Sequence, residues 1–207
     1  MASPALTPET LHAWLGSRRS VRRFRPEKIA PEILNRILKT ATWAPNAHNR
    51  QPWRFVQLSS AESRDALAGT MGAEFARALR AEGKNEEEID EQLKRSRGRI
   101  IEAPEAILLC LDTHALDKYD DANRTQGEYL MGVQSVALAG GQLLLAAHAE
   151  GIGGVWICAP LFTPTEVAMA LGLQRNWHAQ GLILLGYPAK ESDSRPRRPI
   201  IDLLTSL

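Results

Sequence analysis

The stretch from residue 44 to residue 55 reads Ala44-Pro45-Asn46-Ala47-His48-Asn49-Arg50-Gln51-Pro52-Trp53-Arg54-Phe55. The first proline ends any preceding helix, two asparagines and a glutamine follow, and the segment then runs into an aromatic strand start. Amide side chains offer both donors and acceptors at every pH. The stretch therefore predicts a loop whose amides face a planar, polar ligand, followed directly by a strand.

A second polar segment lies upstream and reads Arg18-Arg19-Ser20-Val21-Arg22-Arg23-Phe24. Guanidinium groups match phosphate oxygens bidentately, and a hydroxyl adds a further hydrogen bond. A surface or nucleic-acid patch is the alternative for a short basic run. Together with the amide loop, the segment favours a phosphorylated heteroaromatic cofactor. If the segment is extended, Arg23 and Arg25 point away from Arg22 and belong to the surface.

The two segments resemble the FMN-dependent nitroreductase family, and two further blocks occur in the family's order. Residues 150–156, Glu-Gly-Ile-Gly-Gly-Val-Trp, resemble the glycine-rich segment beside the flavin ring. Residues 186–188 and 195–199 resemble the closing strand and the basic tail. The middle of the chain, residues 103–112 and 131–151, is similar to a subgroup related to the reductase domain of deazaflavin-cofactor biosynthesis enzymes.

The resemblance implies an α+β nitroreductase-like fold in which helices flank a central, mostly antiparallel sheet. It also implies an intertwined homodimer with FMN at the subunit interface. In this arrangement the arginine segment binds the FMN phosphate and ribityl chain through Arg18, Arg19, Ser20 and Arg22. Asn49 and Gln51 of the amide loop match positions that face the flavin ring and the ribityl hydroxyls.

Further cofactor-binding candidates follow from the same resemblance. In the amide loop, Pro45, Asn46 and Ala47 shape the approach to the ring, and capping of the helix end is the alternative role of Asn46. Other candidates, in the apolar stretch and near the reactive flavin nitrogen, are Gln134, Gly153, Trp156, Ile157 and Cys158. In the basic tail, Arg195 and Arg197 have the spacing of a family pair that closes on the phosphate, with Arg198 as a register alternative.

The function implied is that of an NAD(P)H-dependent FMN oxidoreductase with a ping-pong mechanism. NAD(P)H would reduce the flavin and leave, and a nitroaromatic, quinone or other electron-poor acceptor would take its place. Because the cofactor carries the chemistry, no catalytic acid or base is assigned. The sequence contains no HExxH, CxxC or Walker motif, so no metal is expected. The alternatives are a specialised biosynthetic reductase acting on a deazaflavin precursor, and a flavin- or nucleic-acid-binding module without turnover.

Composition sets broad limits on these interpretations. The chain has 207 residues, of which 44% are apolar and 24% charged, with a formal net charge of +1. This length predicts one domain over residues 1–207, and the near-neutral charge argues against nucleic-acid or membrane-surface binding. The N-terminus lacks the pattern of a secretory signal. Cys110 and Cys158 both lie in apolar runs, which predicts buried, reduced thiols and a cytoplasmic location.

Periodicity and turn residues predict the secondary structure. Strands are expected over 54–58, with Phe55 and Val56 buried, and over 106–111, 155–158 and 181–185. A helix from residue 7 ends at Gly16, a second runs from Pro31 to Pro45, and a capping box at Thr163 starts another. The polar, helical region 60–102 is a candidate lid. The apolar stretch 129–149 is interrupted by polar residues, so we expect a helix from about residue 128 that is buried, in a monomer core or against a second copy.

Overall fold

The chain forms six helices and four strands in the part that the computed structural model describes, which is residues 7–190, 193–194 and 196–207. In chain order the elements are α1 (Pro8–Ser17), α2 (Pro31–Ala41), β1 (Trp53–Gln57), α3 (Ala61–Ala81), α4 (Glu86–Ile101), β2 (Glu105–Asp112), α5 (Ala122–Ala149), β3 (Gly153–Ile157), α6 (Pro164–Ala170) and β4 (Trp177–Gly186). Short 3₁₀ turns cover Ala47–Asn49, Thr113–Ala115, Ala159–Phe162 and Ile200–Asp202.

The four strands form one sheet in the order β1-β2-β4-β3, and every described pairing is antiparallel. The central strands β2 and β4 are apolar along most of their length and are buried on both sides. The register between them shifts at Leu109 and Cys110. This arrangement confirms the predicted α+β fold with helices around an antiparallel sheet.

Alternate residues of β2 pack into two separate hydrophobic clusters, one on each face of the sheet. Ile107, Leu109 and Leu111 pack with α2 and α5 on one face. Leu108 and Cys110 pack with α3 and α6 on the other face. The α3–α4 hairpin has a small cluster of its own, formed by Ala76, Leu79 and Ile89.

Helix α5 is the long apolar helix, and it packs on the sheet through Val136, Ala139 and Leu143. By length and composition it could also cross a membrane, and it is the one such helix among the described residues. Such a helix is weak evidence for a span, because the core helix of a soluble protein passes the same test. Gly140 allows close packing here: a β-carbon on it would lie 2.0 Å from the Trp156 ring.

Several predicted boundaries were wrong. Helix α5 begins at Ala122, before the predicted residue 128, because the carboxylate of Asp121 accepts a hydrogen bond from the Arg124 amide at 2.7 Å and caps the helix. Strand β4 begins at Trp177 and not at residue 181. In β1, Phe55 and Val56 are only half-buried, whereas Trp53 is buried.

Two local predictions after β3 also failed. Thr163 precedes α6, but its side chain makes no capping hydrogen bond and its backbone has φ −143° and ψ 51°. The predicted capping box is therefore absent at this helix start. Cys158 is exposed and not buried, because β3 ends at Ile157 and the chain turns there into a 3₁₀ turn. Cys110 is buried, as predicted.

Candidate functional site

The arginine segment lies along β3 and the end of β4. Its backbone leaves the helical conformation after Ser17, and Ser20 forms a parallel bridge with Gly154. The Val21 amide donates to the Gly154 carbonyl at 3.0 Å, and Val21 is buried. A second bridge joins Phe24 to Pro188. These contacts fix residues 18–24 in an extended path, which directs the polar side chains on either side of Val21 away from the core.

The predicted phosphate-binding residues line one cleft, which we call the arginine cleft. Its volume is about 410 Å³, and it is lined by Gly16, Arg18, Arg19, Ser20, Arg22, Asp193 and Arg197. The structure therefore brings Arg197 of the tail to the predicted clamp. Arg195 lies outside the described residues, and Arg198 is not among the residues that line this cleft.

One arginine of the cleft is tethered to the end of α1. The Arg19 guanidinium donates to the carbonyl oxygens of Gly16 at 2.5 Å and of Arg18 at 2.9 Å. Backbone carbonyls hold one side of this guanidinium, so its orientation at the cleft is restricted. Arg18 has no such tether among the described residues, and it lines two neighbouring clefts as well.

The glycines of the third block have a packing role that the sequence did not indicate. A β-carbon on Gly153 would lie 2.8 Å from Cβ of Val21, and one on Gly154 would lie 2.7 Å from Cδ2 of Leu144. Contacts under 3.0 Å require a shift of the neighbour. The two glycines thus let the arginine segment and α5 approach β3. Gly151 has φ +70° and follows the end of α5, as expected for a helix terminus.

The Trp156 side chain is packed into the protein interior. β-carbons added to Gly140 and Gly181 would both lie within 3.0 Å of its indole ring. Of the candidates in β3 and directly after it, the exposed one is Cys158, which follows the last strand residue. Any contact of Trp156 with a ligand would therefore involve its backbone or the ring edge.

The amide loop is strained. His48, Asn49 and Gln51 have φ values of 53°, 52° and 49°, a left-handed conformation that non-glycine residues seldom adopt. The side chain of Asn46 supports it, because its Oδ1 accepts from the Gln51 amide at 2.8 Å. The Ala47 amide donates to Ser135 Oγ of α5 at 3.3 Å. Such strain is concentrated at functional sites, and here it presents Asn49 and Gln51 to solvent.

The amide loop is not part of the arginine cleft of the same chain. Pro45 and Gln134 line a shallow, mostly apolar cleft together with Arg18 and residues of α5. Asn49 and Gln51 are exposed, and they are absent from the described linings of both clefts. Arg50 forms an ion pair with Asp117, which anchors the outer side of the loop. One chain thus brings Arg18, Pro45 and Gln134 together in one cleft. The amide side chains of Asn49 and Gln51 belong to neither this cleft nor the arginine cleft.

A histidine contact near the clamp was missed at the sequence level. Ser17 Oγ lies 2.9 Å from Nε2 of His148, and the His148 ring stacks on Trp14 with centroids 4.9 Å apart. The contact ties the end of α1 to the end of α5, immediately before the arginine segment. The partners are 131 residues apart, so no local pattern could have indicated it.

The electrostatics assign no nucleophile or metal centre. Burial raises the pKa of the Cys110 thiol to about 12, so this thiol stays protonated. The Arg36 guanidinium hydrogen-bonds to Glu150 and lowers the pKa of that carboxyl below its ordinary value. Within the described ranges no group of three histidine, cysteine or acidic side chains could hold a metal ion.

Known proteins show the same sequence pattern and fold. A model of the nitroreductase family matches residues 15–187. YfhC of Bacillus subtilis, provisionally named an NAD(P)H nitroreductase, is 30% identical over 92% of this chain and 91% of its own length. The 5,6-dimethylbenzimidazole synthase of Rhodospirillum rubrum is 31% identical over 88% of this chain and 82% of its own length. A crystal structure of a provisionally assigned nitroreductase from Desulfovibrio desulfuricans in complex with FMN has a TM-score of 0.74 at 25% identity, covering 100% of this chain and 98% of that one.

Proposed function

The chain belongs to the nitroreductase family, and we propose that it is an NAD(P)H-dependent FMN oxidoreductase that acts by a ping-pong mechanism. The observation that carries this proposal is the arginine cleft, which gathers Arg18, Arg19, Ser20, Arg22 and Arg197. The FMN-bound Desulfovibrio relative and the NAD(P)H nitroreductase name of the Bacillus relative support the cofactor and the electron donor.

The chemistry of the cleft fits a terminal phosphate. Four guanidinium groups and a hydroxyl line it, against a single carboxylate from Asp193. Guanidinium forks bind phosphate oxygens through charge-assisted, often bidentate hydrogen bonds. A monophosphate is the expected occupant, since no second glycine-rich phosphate loop occurs in the sequence.

When bound, FMN would supply the hydride and electron transfer between NAD(P)H and an acceptor. The residues of this chain would bind the cofactor and orient it. Asn49 and Gln51 would offer hydrogen bonds to the ring and the ribityl hydroxyls, and the backbone at Ile157 and Cys158, where β3 ends, would lie near the reactive flavin nitrogen. We expect electron-poor acceptors such as nitroaromatics and quinones to occupy the position that NAD(P)H vacates.

We further propose that two chains build each site. Within one chain Pro45 meets Arg18, but the exposed side chains of Asn49 and Gln51 belong to the described lining of neither cleft, so a second copy would supply these two amides. The exposed apolar surface supports this: Leu130 and Leu138 of α5 are 50% and 49% exposed, and Ile200 and Ile201 of the tail are 73% and 79% exposed. Exposed apolar side chains in such numbers are typical of a surface that a partner covers.

Sedimentation at low micromolar concentration tests the dimer. Leu138→Glu places a charge on the exposed face of α5 and should give monomers that lose flavin. Met169→Glu is the matched control, because Met169 is 74% exposed on α6, which packs on the other face of the sheet. A stable, flavin-loaded monomer of the unaltered protein would contradict the proposal.

A specialised flavin chemistry is the second candidate function. The 31% identity with the 5,6-dimethylbenzimidazole synthase of Rhodospirillum rubrum favours it. So does the similarity of residues 103–112 and 131–151 to the deazaflavin-related subgroup. Region 60–102, which forms the α3–α4 hairpin, is the proposed lid that would select the acceptor.

Turnover with a panel of acceptors, in air and without oxygen, separates these candidates. Rapid NAD(P)H oxidation that depends on a nitroaromatic or quinone supports the general oxidoreductase. Turnover confined to a deazaflavin precursor, or consumption of the flavin itself in air, supports the specialised function. A protein that binds RNA and shows no turnover would contradict both.

We also propose that residues 1–207 form one domain and that the protein is cytoplasmic. Both main hydrophobic clusters share the same sheet, which supports a single domain. Two free cysteines and an NAD(P)H-dependent reaction suit the reducing cytosol.

A further inference from the structure

A second basic cleft lies beside the arginine cleft and shares Arg22 with it. We call it the α4 cleft. Its volume is about 650 Å³, and it is lined by Arg22, Arg23, Phe24, Lys94, Arg95, Gly98, Arg99, Glu102, Ala103 and Ala189. One wall is therefore the segment that follows the proposed phosphate clamp, and the other wall is one side of α4.

The α4 wall is a single helical face. Its lining positions 94, 95, 98, 99 and 102 follow the spacing i, i+1, i+4, i+5 and i+8, which places them together on a helix. A β-carbon on Gly98 would lie 3.4 Å from Oε1 of Glu102, so the Glu102 carboxylate lies against the middle of this face. This charged face of α4 therefore borders a concave space.

The α4 cleft holds an excess of positive charge. Five cationic side chains line it with one carboxylate, that of Glu102. Arg95 is paired with Glu91 at 2.6 Å, but among the described residues Arg22, Arg23, Lys94 and Arg99 form no ion pair within 4.0 Å. The whole chain has a net charge of only +1, so this concentration is local. An anion would relieve the mutual repulsion of these groups.

The cleft also offers an apolar surface for a flat ring. Phe24 is half-buried and lines the cleft beside Ala103 and Ala189. Arginine side chains stack on planar rings as well as binding phosphate. Cations next to an aromatic and apolar floor suit a nucleotide that carries several phosphate groups, rather than a bare phosphate ion.

We propose that the α4 cleft binds the adenosine 2′,5′-bisphosphate half of NADPH and makes NADPH the preferred donor over NADH. The inference rests on the proposed function, and it names the donor of that same site. Arg22 belongs to both clefts, so the α4 cleft adjoins the proposed phosphate clamp, and a dinucleotide with its nicotinamide end at the flavin would have to extend past that clamp to occupy it. The 2′-phosphate, which NADH lacks, adds a charge that Lys94 and Arg99 could neutralise, since both line the cleft and neither forms an ion pair among the described residues.

Calorimetry on the flavin-loaded protein tests the inference without turnover. Adenosine 2′,5′-bisphosphate should bind more tightly than adenosine 5′-diphosphate. The double variant Lys94→Ala/Arg99→Ala should weaken binding of the 2′,5′-bisphosphate by about ten- to a hundred-fold, as expected for lost charge-assisted hydrogen bonds. Lys39→Ala is the control, since Lys39 is an exposed lysine on α2, which packs on the opposite face of the sheet.

Steady-state kinetics give the second readout. In the double variant KM for NADPH should rise by about ten-fold or more, while KM for NADH and the flavin content change little. The inference would be overturned if KM rises equally for both donors, or if inorganic phosphate binds more tightly than the 2′,5′-bisphosphate. Tight binding of RNA instead of the nucleotide would also overturn it. The two proposals fail separately. If the protein turns over but the double variant binds the 2′,5′-bisphosphate as tightly as the unaltered protein does, only the inference about the α4 cleft is wrong. If the double variant binds this nucleotide more weakly but the unaltered protein shows no turnover, only the proposed oxidoreductase activity is wrong.

Discussion

The side chain of Val21 fills the space in which a β-carbon on Gly153 would lie, with its own Cβ 2.8 Å from that position. The contact joins two segments that are far apart in sequence, namely the arginine segment and β3. It sits beside the hydrogen bond from the Val21 amide to the Gly154 carbonyl. The position of the proposed phosphate clamp thus depends on the absence of a side chain at residue 153.

Gly153→Ala should therefore displace the arginine segment. We expect retained FMN after purification to fall and the dissociation constant for FMN to rise by about ten-fold, because a small misplacement of a bidentate clamp weakens several hydrogen bonds together. Gly69→Ala in α3 is the matched control, since a β-carbon there meets nothing within 4 Å. Unchanged FMN affinity in Gly153→Ala would show that the clamp does not depend on this packing.

Arg18→Ala and Asn49→Ala should respond in opposite ways to added FMN. Loss of the Arg18 guanidinium removes a phosphate partner, so affinity should fall by about one to two powers of ten and excess FMN should restore turnover. Loss of the Asn49 amide changes the surroundings of the ring, so turnover should stay altered at saturating FMN. Titration of turnover against FMN measures both. Equal rescue of the two variants, or of neither, would refute this division of the site.

Strain in the amide loop predicts an unusual stability response at His48, whose φ is 53°. His48→Gly should keep or raise the thermal midpoint, because glycine adopts this conformation without steric cost. His48→Val should lower the free energy of unfolding by about 1–2 kcal/mol, since a β-branched residue is disfavoured there. His12→Val, at a helical position of α1, is the control and should lower the free energy of unfolding by less. Equal losses at both positions would count against strain in the loop.

The ion pair between Arg36 and Glu150 predicts a pH dependence. The hydrogen bond from Arg36 lowers the pKa of the Glu150 carboxyl in the folded state below its ordinary value of 4.5. The stabilisation is therefore present above the ordinary value and is lost as the pH falls through the lowered one. Arg36→Gln should lower the thermal midpoint at neutral pH, and the difference from the unaltered protein should shrink in acid. A difference that grows in acid would contradict this assignment.

Local signals in the sequence account for much of the fold. Pro31 and Pro164 start helices where expected, and Gly151 follows the end of α5 with a positive φ. The apolar run of β2 predicts a buried central strand. Such features depend on near neighbours in the chain, and these are visible in the sequence.

The features that needed the structure depend on distant partners. The family resemblance predicts Gly153 near the reactive flavin nitrogen, but it does not indicate that Val21 occupies the position of a β-carbon on this glycine. The Ser17–His148 contact joins two helix ends, and the left-handed backbone at residues 48, 49 and 51 is held by Asn46 and by Ser135 of α5. The arginine clamp itself was identified by residue type, yet only tertiary structure shows that Arg197 joins it.

Anaerobic titration of the purified protein with NADPH and NADH, followed by acid release and chromatography of the flavin, tests the central claim most directly. We expect a yellow protein whose absorbance near the flavin maximum is bleached by about one equivalent of donor per flavin. The released compound should be FMN. A colourless protein that does not take up added FMN, FAD as the main released species, or a bound flavin that neither donor reduces would contradict the account.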